Sequence, residues 1–343
     1  MLAVRDLAVR YDVSKDGAEG AVVRAVDGVS FDVRRGEALG IIGESGSGKT
    51  SLALAMLGLL PDADVRGQVR LGGEPLPLGD RSAMRRYQWR RMALVFQGAG
   101  GSFDPVYRIG QQIVEPMLTH LDIDQRTAQA RARELLARVG LAPHYLERYP
   151  HQMSGGEKQR ALIAMALSCQ PDVLLLDEPL AGQDILTRIA LIDLFQRLKN
   201  DGLALVVIAH DLSDLARLAD RIAVMYAGRI VETGPTGPVL DDPVHPYTWG
   251  LVNAYPLITR AKDLWGIRGS PPDPTALPQG CRFHPRCTQA VEECRLADVS
   301  LAPTSADFGG DGRSVACHLG GIRALLRVEG LSKTFRNGSQ PVQ

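Results

Sequence analysis

At 343 residues, 45% of them hydrophobic, the chain is long enough for one large domain with a sizeable core and a smaller one beside it. Its 39 Lys and Arg residues balance 39 Asp and Glu residues, so no global charge favours DNA, RNA or an anionic membrane. The longest apolar run near the start, Leu52–Leu60, falls short of the roughly 20 residues that cross a bilayer, and Arg5, Asp6 and Arg10 stand where a signal peptide would be apolar. The chain itself is therefore expected in the cytoplasm.

Leu39–Gly43 (LGIIG) is a short apolar run ending in glycine. A Gly/Ser loop follows, then Thr50–Leu60, rich in helix formers and stopped by Pro61, which predicts strand, loop and helix in that order. Met92–Phe96 (MALVF), Val173–Leu176 (VLLL) and Ala204–Ala209 (ALVVIA) predict further fully buried parallel strands, spaced widely enough for crossover helices. The fold class is α/β. Between the second and third of these strands, Arg126–Gly140 sets Ala128, Ala132, Leu135, Leu136 and Val139 on one helical face, and predicts a helical insertion over about 98–168. After Gly234 the composition changes: nine of the 21 prolines fall in residues 235–280, too many for continuous helix or central strand, so a domain boundary is expected near 235. A weak repeat pairs Leu2–Tyr11 (LAVRDLAVRY) with Leu326–Phe335 (LRVEGLSKTF).

GESGSGKT, Gly43–Thr50, fits the P-loop pattern in the strand-to-helix context that pattern requires. Glycines let the backbone curl so that successive N–H groups face phosphate oxygens, and the helix N-terminus adds about half a positive charge. Gly43, Glu44, Ser45, Gly46, Ser47, Gly48, Lys49, Thr50 and the adjoining Ser51 are thus the expected nucleotide cradle. Lys49 is expected at the β/γ-phosphates and Thr50 at Mg²⁺. VLLLDE adds a buried strand ending in two carboxylates: Asp177 to hold Mg²⁺ and Glu178 to orient or deprotonate the attacking water. Acidic residues often cap strands, and it is the upstream P-loop that makes hydrolysis the better reading.

MSGGEKQR, Met153–Arg160, resembles the signature sequence of ATP-binding cassette (ABC) ATPases. Gln97 after MALVF resembles that family's Q-loop residue, His210 after ALVVIA its switch histidine, and Tyr11 its A-loop aromatic. In order and spacing the motifs cover residues 1–234. The resemblance implies a RecA-like P-loop core with an N-terminal β subdomain and a helical insertion. It also implies two nucleotide domains closing head to tail around two ATP molecules, with Ser154, Gly155 and Gly156 touching γ-phosphate bound to the other. By the same resemblance His210 holds the γ-phosphate, and Gln97 joins Mg²⁺ to the surface that grips a membrane partner. Two departures stand out: in PLAGQDILTR, Asp184 keeps the D-loop acid while Gly182 and Gln183 replace the usual pair, and GAGGSFDP after Gln97 is unusually Gly-rich.

PVHPYTWGLVNAYP (243–256) and GCRFHPRC (280–287) resemble the C-terminal extension of ATPase subunits from oligopeptide, dipeptide and nickel importers. That resemblance implies an importer ATPase at the cytoplasmic face of a membrane. Its partners would be two permease subunits, a second and non-identical ATPase domain, and indirectly an extracytoplasmic solute-binding protein. Peptide is the first choice of cargo; nickel or another metal chelate is the second. A soluble ABC ATPase acting on nucleic acid or ribosomes shares the nucleotide motifs, but the balanced charge and the lack of a basic tract argue against it. A small-molecule P-loop kinase leaves MSGGEKQR unexplained. Residues 235–320 are expected to form the extension, and 321–343 a tail like the start of a second ABC domain.

Cys281, Cys287, Cys294 and Cys317 are four of the chain's five cysteines. A reducing compartment favours thiols or metal ligands over disulfides, and these spacings lack the paired C-x₂-C of structural zinc. Because importer subunits with this pattern include cluster-bearing ones, the resemblance ranks a [4Fe–4S] cluster first, Zn²⁺ second and free thiols third. Arg282 and Arg286 are expected to offset the cluster's charge, and no feature of the sequence places the cysteines near the phosphate motifs. Cys169 reads as a small buried apolar residue.

Overall fold

The computed structural model describes residues 1–12, 22–98, 101–254, 266–304, 312–322, 335–337 and 340–342. Its first half runs β1 (Leu2–Asp12), β2 (Val22–Val33), β3 (Ala38–Ile42), α1 (Lys49–Met56), β4 (Ala63–Leu71), β5 (Glu74–Pro75), α2 (Arg81–Met84), β6 (Met92–Val95), α3 (Ile109–His120), α4 (Gln125–Arg138) and α5 (Gly155–Ala166). There follow β7 (Val173–Asp177), α6 (Ile185–Asn200), β8 (Ala204–Ile208), α7 (Leu212–Leu218), β9 (Arg221–Tyr226) and β10 (Arg229–Pro235). The C-terminal part contributes α8 (Thr236–Asp241), α9 (Pro246–Ala254), α10 (Glu292–Leu296), β11 (Ala302–Pro303) and β12 (Ser314–Val315). Of the repeat at Leu326–Phe335, residues 326–334 lie outside the described residues, and Phe335 opens a short strand paired with 340–342.

The main sheet has the order β11-β12-β10-β9-β3-β8-β7-β6, and its five strands from β9 to β6 are parallel. β3, β7 and β8 are buried along their whole length. A parallel strand covered on both faces has no solvent side, which is why these segments read as unbroken apolar runs. Their side chains still alternate between two cores. Leu174, Leu176, Leu205 and Val207 meet the helical side, including Ala128, Ala132 and Leu136 of α4. Val173, Leu175, Val206 and Ile208 meet α1 and a second, antiparallel sheet of order β2-β1-β4-β5. The predicted helix at 126–140 forms as α4, and Asp124 fixes its start by accepting from Thr127 N–H at 2.8 Å.

β9 is a fifth parallel strand, beside β3, that the apolar-run criterion passes over: RIAVMY opens on a charge and closes on a tyrosine. Past residue 235 the chain returns to the main sheet. Glu232 of β10 pairs with Val315 of β12, β12 pairs with β11, and Val239, Tyr247 and Val252 join the helical-side core, with Ile267 packed against it. The motif His245-Pro246-Tyr247 is fixed by the buried carboxylate of Glu232, which accepts from the N–H groups of Val244 (2.9 Å) and His245 (2.8 Å).

Candidate functional site

The phosphate loop is squeezed from behind. A Cβ on Gly43 would stand 2.0 Å from the Met225 carbonyl oxygen; one on Gly48, whose φ is +99°, would stand 1.9 Å from the Ala25 carbonyl oxygen. Only glycine fits at either position. The turn between β9 and β10 backs the loop, Gly228 N–H donating to Ser47 C=O at 3.0 Å. α1 starts at Lys49 with no side-chain cap at Gly48, beside a cleft of about 730 Å³ lined by Glu44–Ser51, Tyr11, Gln97, Glu178 and His210. Uncapped first-turn N–H groups are anion donors. Lys49 is buried and donates to the carbonyls of Gly43 (2.8 Å) and Glu44 (3.0 Å). Burial lowers its pKa, and the negative charges of Glu178, Asp177 and Glu44 push the other way.

Strand ends bring the remaining groups together at the carboxyl edge of the sheet, where ligands of open α/β sheets bind. Thr50 Oγ1 donates to Asp177 Oδ2 at 2.9 Å, while Asp177 Oδ1 is buried without a hydrogen-bond partner. A hydroxyl and an orphaned carboxylate oxygen side by side are hard donors of the kind Mg²⁺ takes, so the residues fit that ion. Glu178 follows β7 with φ +50°, a left-handed conformation uncommon for glutamate, fixed by its N–H donating to Ile208 C=O at 2.9 Å. Its carboxylate accepts from Gln97 Nε2 at 2.6 Å and contacts His210 Nε2. At the other end of the cleft Tyr11 pairs with Val23 across β1 and β2, and its hydroxyl donates to Ser51 Oγ at 3.2 Å.

Ser154, Gly155, Gly156 and Asp184 do not line this cleft. Ser154 caps α5 in a reciprocal pair with Glu157: its Oγ accepts from Glu157 N–H (3.3 Å) and Glu157 Oε2 accepts from Ser154 N–H (2.8 Å). The Tyr145 hydroxyl, followed by that backbone N–H, holds the Glu157 carboxyl below its usual range. Asp184 caps α6 by accepting from Thr187 N–H at 3.0 Å, and a Cβ on Gly156 would meet Thr187 Cγ2 at 2.8 Å. The MSGGEKQR and PLAGQD segments thus meet through Thr187, outside the P-loop cleft.

Residues 26–181 match the ABC transporter family, and residues 231–294 match the oligopeptide/dipeptide transporter C-terminal region. A putative peptide import ATP-binding protein of Brucella abortus is 38% identical over 316 residues, covering 92% of each chain. The chain belongs to the ABC transporter ATP-binding proteins. The oligopeptide transport ATP-binding protein OppD of Mycobacterium tuberculosis is 38% identical over 98% of this chain, which spans 58% of that relative's length. Among solved structures, the dimeric ATP-binding cassette MJ0796 in a post-hydrolysis state with ADP and Pi superposes with a TM-score of 0.60 at 25% identity, over 69% of this chain and 99% of that one. No helix among the described residues is long and apolar enough to cross a membrane.

In this ABC chain the C-terminal region reaches the phosphate loop, which sequence reasoning missed. Tyr247 is fully buried, and its hydroxyl oxygen accepts from Glu44 N–H at 2.8 Å. Arg286 grips the Glu44 carboxylate through both terminal nitrogens, at 2.7 and 2.9 Å. Pro271, Pro272, Pro274 and Leu277 line the cleft itself. No feature of the sequence places the cysteine segment near the phosphate motifs, and the structure does so through Arg286. The arginines expected to balance a cluster are engaged by acids of the cassette, Arg282 by Asp27 and Arg286 by Glu44. The only signals in the sequence were the proline-rich composition and the sequence FHPRC.

The four C-terminal cysteines lie within electrostatic reach of one another. Burial pushes the Cys281 thiol up to about 11, and the neighbouring Cys294, Cys317 and Cys287 add to the rise. Burial, then Cys317 and Cys294, raises Cys287 as well. Cys281 N–H donates to Cys294 C=O at 2.9 Å. Among the described residues no group of three or more His, Cys, Asp or Glu side chains is arranged to hold a metal ion. Cys169 is buried and its thiol donates to the Pro116 carbonyl at 3.5 Å, the place expected of a small apolar residue.

Proposed function

We propose that the chain binds ATP with Mg²⁺, hydrolyses it, and so powers a peptide importer in which it serves as one of two ATPase domains beneath two permease subunits. The observation that carries this reading is the Glu178 carboxylate, held between Gln97 and His210 at the open side of a P-loop cleft. Lys49 exchanges the carbonyls of Gly43 and Glu44 for β- and γ-phosphate oxygens, and the N–H groups from Ser45 to Ser51 cradle the phosphates. Thr50, Asp177 and Gln97 would hold Mg²⁺, which when bound would supply charge neutralisation at the phosphate. Glu178 takes the proton of the attacking water, and His210 donates to the γ-phosphate oxygen on which charge grows. Tyr11 stacks on the base.

Ser154 and Gly155 are exposed, and Ile185 and Leu186 beside Asp184 are 74% and 78% exposed. These support a second cassette, which we propose is non-identical, that closes over the cleft, with the signature of each chain completing the other's γ-phosphate site. In this reading residues 1–234 form the nucleotide-binding domain, with a helical subdomain at about 98–168, and 235–320 the importer-type extension. The match at 231–294 and the relatives named for peptide import support peptide as cargo, delivered by a solute-binding protein to permeases that hold the chain at the cytoplasmic face. Four thiols in one segment are soft donors by type, and for them we propose a [4Fe–4S] cluster ahead of Zn²⁺. The test of the whole is reconstitution with the permeases and second ATPase in vesicles. Hydrolysis and uptake should both rise with peptide-loaded binding protein. Uptake of nickel but not peptide, or hydrolysis indifferent to both, overturns the cargo assignment.

A further inference from the structure

Arg286 is 6% exposed at the side chain, and each of its five N–H donors is directed at a partner. Nε donates to Arg268 C=O (2.8 Å). Nη1 donates to Glu44 Oε2 (2.7 Å) and the Tyr226 hydroxyl (3.4 Å), and Nη2 to Glu44 Oε1 (2.9 Å) and Gly269 C=O (3.3 Å). One guanidinium thus ties three things: the second residue of the P-loop, the turn behind that loop, and the backbone at 268–269 from which a proline-rich strap departs. That strap runs to the base end of the cleft. Pro271, Pro272, Pro274 and Leu277 line the same cleft as Tyr11, and Pro274–Leu277 share a second hollow with Val22 and Arg24, beside Val23, the strand partner of Tyr11.

We propose that Arg286 is a positioning residue for nucleotide binding, which sets the P-loop entrance through Glu44 and holds the 271–277 strap as a second wall of the base site. This inference rests on the reading of the cleft as an ATP site. Cys287 adjoins Arg286 in the chain, so the cysteine segment is one residue from the group that grips Glu44. The fork geometry is what the site uses: five donors in a fixed plane meet five acceptors, and a lysine in that place keeps the charge but loses the fork.

The test is equilibrium binding of ATP and of inorganic tripolyphosphate to the full chain, with the thermal midpoint without ligand measured in parallel. Arg286→Lys and Glu44→Gln should each raise the ATP Kd about tenfold, and the double variant no more than either single one, because the pair acts as a unit. Leu277→Ala should weaken ATP about threefold and leave tripolyphosphate unchanged, since it touches only the base wall. ATP affinity within twofold of wild type in both single variants at unchanged midpoint, or effects that multiply in the double variant, overturns the positioning role. Should Arg286→Lys fail to fold, Glu44→Gln at the loop surface carries the same decision. Equal weakening of ATP and tripolyphosphate by Leu277→Ala, or none, overturns the strap. A wild-type chain that binds neither ligand refutes the nucleotide reading beneath it.

Discussion

Glu178→Gln isolates chemistry from binding. The amide keeps the shape of the carboxylate and one acceptor for Gln97 Nε2, which now sits at 2.6 Å. The φ of +50° that aims this side chain into the cleft is set by the backbone bond to Ile208 C=O, which the substitution leaves alone. What disappears is the base. General-base catalysis contributes roughly 10²- to 10⁴-fold, about 3–5 kcal/mol of barrier. Binding moves the other way. Removing one negative charge from the side of the cleft that faces the incoming γ-phosphate relieves repulsion. The variant should therefore hold ATP at least as tightly as wild type while hydrolysing it at least a hundredfold more slowly. Single-turnover hydrolysis by the assembled importer, with filter-bound ATP counted alongside, reads both quantities. Hydrolysis within tenfold of wild type refutes Glu178 as the base, and loss of ATP binding refutes the claim that its carboxylate is dispensable for the ground state.

Gly48→Ala forces a Cβ to within 1.9 Å of the Ala25 carbonyl at φ +99°, so ATP binding should be lost beyond detection by calorimetry even where circular dichroism shows a folded chain. His245 is fully buried, and burial holds its pKa down to about 3, so the folded chain keeps a neutral ring while the unfolded chain takes a proton near pH 6.5. Stability from this group is present above pH 6.5 and drains at about 1.4 kcal/mol per unit below it. Between pH 7 and pH 5 the wild type should lose about 2 kcal/mol more unfolding free energy, read by urea titration, than His245→Gln. The raised pKa of the neighbouring Glu232 acts oppositely but is common to both proteins, so equal pH dependence refutes the assignment. Anaerobically purified chain should carry about four irons and be brown. Cys287→Ser should lose the colour and, through Arg286, weaken ATP binding several-fold; colourless protein with one zinc reverses the order of metals.

The parallel core was legible because burial on both faces leaves a simple trace. MALVF, VLLL and ALVVIA each became a strand within one residue of the expected span, and GESGSGKT became the loop between β3 and α1. β9 was not legible, because Arg221 and Tyr226 at its ends break the apolar run; it is recognised only once the chain is folded and its hairpin with β10 backs the P-loop. The sequence singles out Ser154 and Asp184 but does not show that each is a helix cap, or that Thr187 joins them.

Glu44 shows most clearly where pattern reading stops. In G-x-x-x-x-G-K-[ST] it occupies a position that the phosphate chemistry leaves open, because the backbone N–H there does the binding whatever the side chain. Its carboxylate is then free to be used for something else, and its partner lies 242 residues later in a segment whose cysteines draw attention away from the arginine between them. No local periodicity encodes a contact at that separation. What does bear on it is cost: a guanidinium 6% exposed at the side chain is expensive to bury unless its donors are all met, so an arginine set between two cysteines of a proline-rich segment needs an acid brought to it. The acid it meets is on the P-loop, and the proposed role of Arg286 rests on that contact.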